Sequence, residues 1–84
     1  GKHRVHAARA LVVFHMLEYR ARPRQALIDW VVRTPIFLKA LQCENDPPRA
    51  QALSAETVDR LVADGVLALQ TVGDELRVVL TAGD

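Results

Sequence analysis

The chain has 84 residues, a net charge of +1 and an apolar half, which bounds it to one globular domain with a single core. So nearly neutral a chain has no overall field to hold it on a polyanion. Its longest apolar run, Ala10–Phe14, is far short of the ~20 residues of a membrane span, and its one cysteine, Cys43, excludes an intrachain disulfide and a cysteine-based zinc cluster.

Charge is unevenly spread. Lys2, Arg4, Arg9, Arg20, Arg22 and Arg24 against Glu18 leave residues 1–24 at +5 and the remainder at −4.

Val5–Arg20 reads as the first helix. Ala7, Ala10, Leu11, Phe14 and Leu17 form one apolar stripe; Val5, Ala8, Val12, Met16 and Tyr19 form another. Two stripes imply a helix contacted on more than one side, a central core helix or a dimer helix, with Phe14 and Met16 in the core. His15 lies within this segment and is expected half-buried, bonded to a backbone carbonyl. Ala21-Arg22-Pro23 breaks the helix, and Pro23 suits the opening position of a second one, where its missing amide costs little. Ala26, Leu27, Trp30 and Val31 give that helix its buried face, while Asp29 and Arg33 are spaced to pair on the wet face.

Thr34-Pro35 marks the next boundary, with Thr34 as cap and Pro35 at the first helical position. Ile36, Phe37, Ala40 and Leu41 then repeat as a short buried helix. Gln42–Leu53 is expected to be a loop, because Pro47 and Pro48 remove amides and restrict Asp46.

From Ser54 the pattern sharpens. Ser54 is a candidate N-cap, Glu56 sits in the first turn, and Ala55, Val58, Leu61 and Val62 share one face. Gly65 stops the helix. The period then turns to alternation, with Leu67, Leu69 and Thr71 on one strand face and Leu76, Val78 and Leu80 on the next, joined through Gly73-Asp74.

A capped helix, a glycine stop and a hairpin in that order resemble the second half of a winged-helix domain, within the helix-turn-helix superfamily. The phrases that carry the resemblance are Thr57–Leu67, as third helix and first wing strand, and Gly73–Thr81, as wing tip and return strand. It implies a mainly α fold with a small antiparallel hairpin, three to four helices followed by a two-stranded wing, over residues 1–84 as a single module of a larger protein or assembly. In DNA-binding members the third helix enters the major groove and the wing touches backbone. Carried over, the exposed candidates on that helix are Glu56, Thr57, Asp59, Arg60 and Ala63.

This helix departs from the pattern by setting one arginine against Glu56, Asp59 and Asp64, and the wing tip carries Asp74 and Glu75. The first expectation is therefore a module of a DNA-handling or regulatory protein that binds nucleic acid through its basic N-terminal third. Its candidate contacts are Lys2, Arg4, Arg9, Arg22, Arg24, Arg60 and Arg77. The alternative is a protein-interaction or homodimerisation module without direct DNA contact.

Enzyme chemistry finds little support. No glycine pattern cradles a phosphate, Ser54 is the only serine, and Cys43 sits beside Glu44, which disfavours a thiolate. His3 and His6 are spaced to share a helix face, but with no third ligand nearby they make a weak metal signal. No catalytic residue, metal or cofactor is expected, no membrane partner, and a reducing cytoplasm as location.

Overall fold

The computed structural model describes residues 2–81. Among them run α1 (Lys2–Tyr19), β1 (Ala21–Pro23), α2 (Arg24–Val32), α3 (Pro35–Ala40), α4 (Pro47–Ala63), β2 (Leu67–Val72) and β3 (Glu75–Leu80). The fold is mainly helical with a small antiparallel sheet, as the sequence implies. The sheet has three strands in the order β1-β3-β2, where a two-stranded wing was expected.

The third strand is the segment read as a helix break. Arg20 ends α1 with a left-handed φ of 68°, its amide donating to Met16 O at 2.7 Å. Arg22 precedes a proline and is held extended. Leu80 N–H donates to Arg20 O at 2.8 Å, and Arg22 then lies opposite Val78 and Pro23 opposite Arg77. An edge strand tolerates Pro23, whose missing amide is not needed by the ladder. Pro23 is thus the residue before α2, and not its first helical residue.

The predicted Gln42–Leu53 loop is the second correction. Only 41–46 is irregular, and α4 begins at Pro47. The first amides of a helix have no intrahelical partner, so prolines at the first two positions remove nothing the helix uses. Asp46 supplies the cap, its Oδ1 accepting from Arg49 N–H at 3.2 Å. Upstream, α3 closes on Gln42 at φ 55°, with Cys43 N–H donating to Leu38 O at 3.0 Å.

Ser54 therefore lies in the interior of α4 instead of capping it. Its side chain is fully buried, and Oγ has no hydrogen-bond partner among the described residues. An unpaired buried hydroxyl is unfavourable, and alanine is the better helix former. Ser54→Ala is expected to stabilise the domain by about 1 kcal/mol in urea denaturation. A loss of about 1 kcal/mol, the signature of a removed cap, would contradict this placement.

The C-terminal half of the sequence reading holds. Gly65, at φ 78°, follows α4; its amide donates to Val62 O at 3.0 Å and that of Val66 to Leu61 O at 2.9 Å. These are the two bonds of a Schellman closure. Gly73, at φ 62°, is the first central residue of a two-residue hairpin turn, and strand pairing sets Leu67 against Leu80, Leu69 against Val78 and Thr71 against Leu76. Left-handed φ at the first central position is the type II′ pattern, whose twist matches the strands.

The core gathers Ala8, Val12 and Met16 of α1 with Leu27, Ile28 and Val31 of α2, Phe37 of α3, Val58 and Leu61 of α4, and Leu67 and Val78 of the sheet. So α1 buries the middle of one apolar stripe, Ala8, Val12 and Met16, while Val5 and Tyr19 at its ends are exposed. Most of the other stays outside: Ala7 and Ala10 are exposed, Phe14 is 69% exposed and Leu17 50%, while Leu11 is half-buried against the core. The expectation of a central helix with Phe14 in the core is overturned, because α3, α4, β1 and β3 pack against the side of α1 that carries Val12, away from Phe14.

Candidate functional site

The arginines expected to meet phosphate are largely engaged by the chain's own groups. Arg9 on α1 meets Asp64 at the end of α4, 2.6 Å apart. Arg24, first residue of α2, holds both carboxylate oxygens of Asp59 at 2.9–3.1 Å. Arg77 pairs with Glu75 and donates to Ala21 O at 3.3 Å, which ties β3 to β1. Arg60 faces Glu56 at 3.9 Å, one turn away on α4. Arg22 donates to His15 Nε2 at 2.8 Å. Partly exposed pairs of this kind contribute little stability. Their electrostatic consequence is larger: Arg9–Asp64 and Arg24–Asp59 join the basic third to the acidic remainder and offset two of its six cations at contact distance. Arg4 is exposed, and the Lys2 side chain lies outside the described residues.

These residues do not form one patch. Arg22 and Arg77 sit on the sheet, and Arg24 bridges α2 to α4. Arg9 and Arg60 line a cleft of about 220 Å³ between α1 and α4, walled by Val5, Leu41 and Leu53. A neighbouring cleft of about 190 Å³ shares those three apolar residues and is lined by Arg4 and Arg49. The sequence reading missed Arg49 by placing it in a loop; the Asp46 cap is the signal that puts it in the first turn of α4. Of the α4 residues expected to be exposed, Glu56, Asp59, Arg60 and Ala63 are. Thr57 is buried, its hydroxyl donating to Leu53 O at 2.8 Å. Asp29 accepts from Gln25 at 2.9 Å in place of the expected Arg33.

His15 is held by rings and a guanidinium instead of a carbonyl. It stacks on Trp30, centroids 3.6 Å apart and planes 14° apart, and leans on Tyr19 at 4.5 Å. Trp30 in turn meets Phe37 edge-on at 5.2 Å. Because Arg22 can only donate, His15 Nε2 accepts, and the ring is the neutral Nδ1–H tautomer. Burial first, and the Arg22 charge second, hold the His15 pKa below its ordinary 6.5, against a smaller opposing pull from Glu18.

That shift has a definite sign. The unfolded chain takes the proton first, so His15 leaves stability intact above about pH 6.5 and removes it as pH falls towards the folded pKa. The midpoint of thermal unfolding is expected to fall from about pH 7.5 to about pH 5.5, and His15→Gln, which still accepts from Arg22, is expected to flatten that fall. Parallel pH profiles for the two proteins would show that His15 is not the group responsible.

Cys43 is buried, its thiol directed at Leu38 O at 3.7 Å, and burial pushes its pKa up despite Arg49 nearby. A buried, protonated thiol is a poor nucleophile. Among the described residues no three His, Cys, Asp or Glu side chains gather as a metal site, and no helix is long and apolar enough to cross a membrane. His3, one half of the candidate histidine pair, has its side chain outside the described residues.

What the surface does offer is apolar area. Beyond Phe14 and Leu17 on α1, the far end of the hairpin presents Leu69, Val72 and Leu76, each 44–56% exposed. No protein-family model, curated protein or solved structure matches this chain.

Proposed function

We propose that this domain is a winged-helix-like protein-interaction module of a larger assembly, and that it works without direct nucleic-acid contact. The observation that carries the reading is the outward stripe of α1, where Ala7, Ala10, Phe14 and Leu17 face solvent in line. Contiguous exposed apolar area of this kind marks docking surfaces. The arginine pairing supports it from the other side, since Arg9, Arg24, Arg60 and Arg77 each face a carboxylate. The winged-helix assignment itself rests on the order α4, Gly65 closure, hairpin. One buried thiol suits a reducing compartment, and we place the module in the cytoplasm.

A second reading, nucleic-acid binding through the basic N-terminal third, is favoured by Arg4 and Arg49. They line one cleft and form no ion pair with a described residue. A titration of labelled duplex and single-stranded DNA at about 50 mM salt, where phosphate contacts are strongest, separates the two. The interaction module is expected to show no saturable binding. Binding that weakens steeply with salt, and that is lost in an Arg4→Ala, Arg9→Ala, Arg22→Ala triple variant, would replace it with the nucleic-acid reading.

A further inference from the structure

The exposed α1 stripe has a spacing that says what covers it. Ala7, Ala10, Phe14 and Leu17 are separated by three, four and three residues, the a/d repeat of a two-helix seam. The positions buried in the domain's own core, Val12 above all, fall on the opposite side of the helix. So α1 presents a complete seam while the middle of its other face, Ala8, Val12 and Met16, is satisfied internally.

The order of sizes along the seam chooses an orientation. Two small residues come first and two large ones last. In a parallel pair, like layers meet: Phe14 against Phe14, and Ala7 against Ala7, which leaves a gap at one end and crowding at the other. In an antiparallel pair about Val12, Ala7 meets Leu17 of the second copy and Ala10 meets Phe14. Each layer then holds one small and one large residue, so the helices stay evenly spaced. Charge agrees. Arg4, Leu11 and Glu18 occupy one flank of the seam, and an antiparallel partner sets Arg4 of one copy beside Glu18 of the other, twice across the two-fold axis. Both residues are exposed. The other flank brings Val13 against Val13 and His6 of each copy beside Arg20 of the other, a contact without repulsion while the imidazole is neutral.

We propose that this domain self-associates through α1, as an antiparallel pair of α1 helices in which Phe14 and Leu17 of each copy cover Ala10 and Ala7 of the other. The proposal rests on the protein-interaction reading and names the partner as a second copy of this chain. Overlap runs from Val5 to Tyr19, about four helical turns. A seam of that length sits at the small end of specific interfaces, under about 1,200 Å² in total. The dimer is therefore concentration-dependent, with Phe14 as its aromatic anchor.

The test is sedimentation equilibrium of the 84-residue chain from low micromolar to millimolar concentration, at about pH 8 so that histidines are neutral. The chain is expected to pass from monomer to dimer. Phe14→Asp is expected to weaken the dimer by more than about tenfold while circular dichroism stays unchanged. Arg4→Glu alone and Glu18→Arg alone are each expected to weaken it, and the double variant to restore it, because only the antiparallel register pairs those positions across the axis. A monomer at every concentration overturns self-association, as does a dimer indifferent to Phe14→Asp. Failure of the double variant to recover overturns the register even if Phe14→Asp fails to fold. Salt-sensitive DNA binding would instead remove the interaction reading itself, so the two failures are told apart.

Discussion

Phe37→Ala is expected to destabilise the domain by about 3–5 kcal/mol. Phe37 is fully buried and is the largest side chain in the core. It is also the buried anchor of α3, a helix of six residues. So short a helix does not persist without tertiary packing. Removing the ring leaves a cavity against α1 and α2 and takes away the edge-on contact to Trp30, on which His15 is stacked. For a domain with total stability of about 5–15 kcal/mol, such a loss is a large fraction of what keeps the chain folded. Ile36, its neighbour in sequence, is 58% exposed, and Ile36→Ala is expected to cost under about 1 kcal/mol. Urea unfolding of the two variants checks the pair. Equal losses would mean that α3 is held by something other than the Phe37 ring.

The parts of the fold that the sequence reveals are those decided by chemistry within a few residues. Gly65 and Gly73 each sit where backbone must turn left-handed, and the change of period between them marks the hairpin. Pro35 opens α3 for the same local reason. The start of α4 is local too, but the rule that prolines end helices hid it. At Pro47 and Pro48 the rule inverts, because a helix has no use for those two amides and Asp46 caps the third. Strand β1 has no local signature. Three residues make no pattern, and what forms it is a partner, β3, that arrives near the other end of the chain.

The functional surface follows the same division. Its arginines can be named from the sequence, yet their carboxylate partners cannot, since Arg24 and Asp59 lie 35 residues apart. Net charge along the chain therefore overstated the field. Cleft residues such as Arg49 emerge only once α4 is known to begin seven residues before Ser54. Above all, α1 is apolar on both sides, and helical periodicity finds two candidate faces without saying which one the domain keeps for itself.

That ambiguity makes the second large effect decisive. Val12→Asp is expected to unfold the domain, whereas Phe14→Asp leaves it folded. Val12 has no exposed surface and lies between Ala8 and Met16 on the buried stripe. A carboxylate placed there has no cation or donor waiting for it. Burying an unpaired charge costs several kcal/mol, and escape by protonation carries its own penalty at neutral pH. Either route consumes a large share of about 5–15 kcal/mol of stability. Phe14 is two residues along the same helix and 69% exposed, so the same substitution there changes stability by under about 1 kcal/mol, mostly through helix propensity. Circular dichroism melts at low micromolar concentration, where the outer stripe is unoccupied, compare the two directly. A folded Val12→Asp beside an unfolded Phe14→Asp would put the wrong stripe in the core and remove the exposed seam with it. The expected order fixes Val12 as part of the domain's own interior and leaves Phe14 free to serve a contact between molecules.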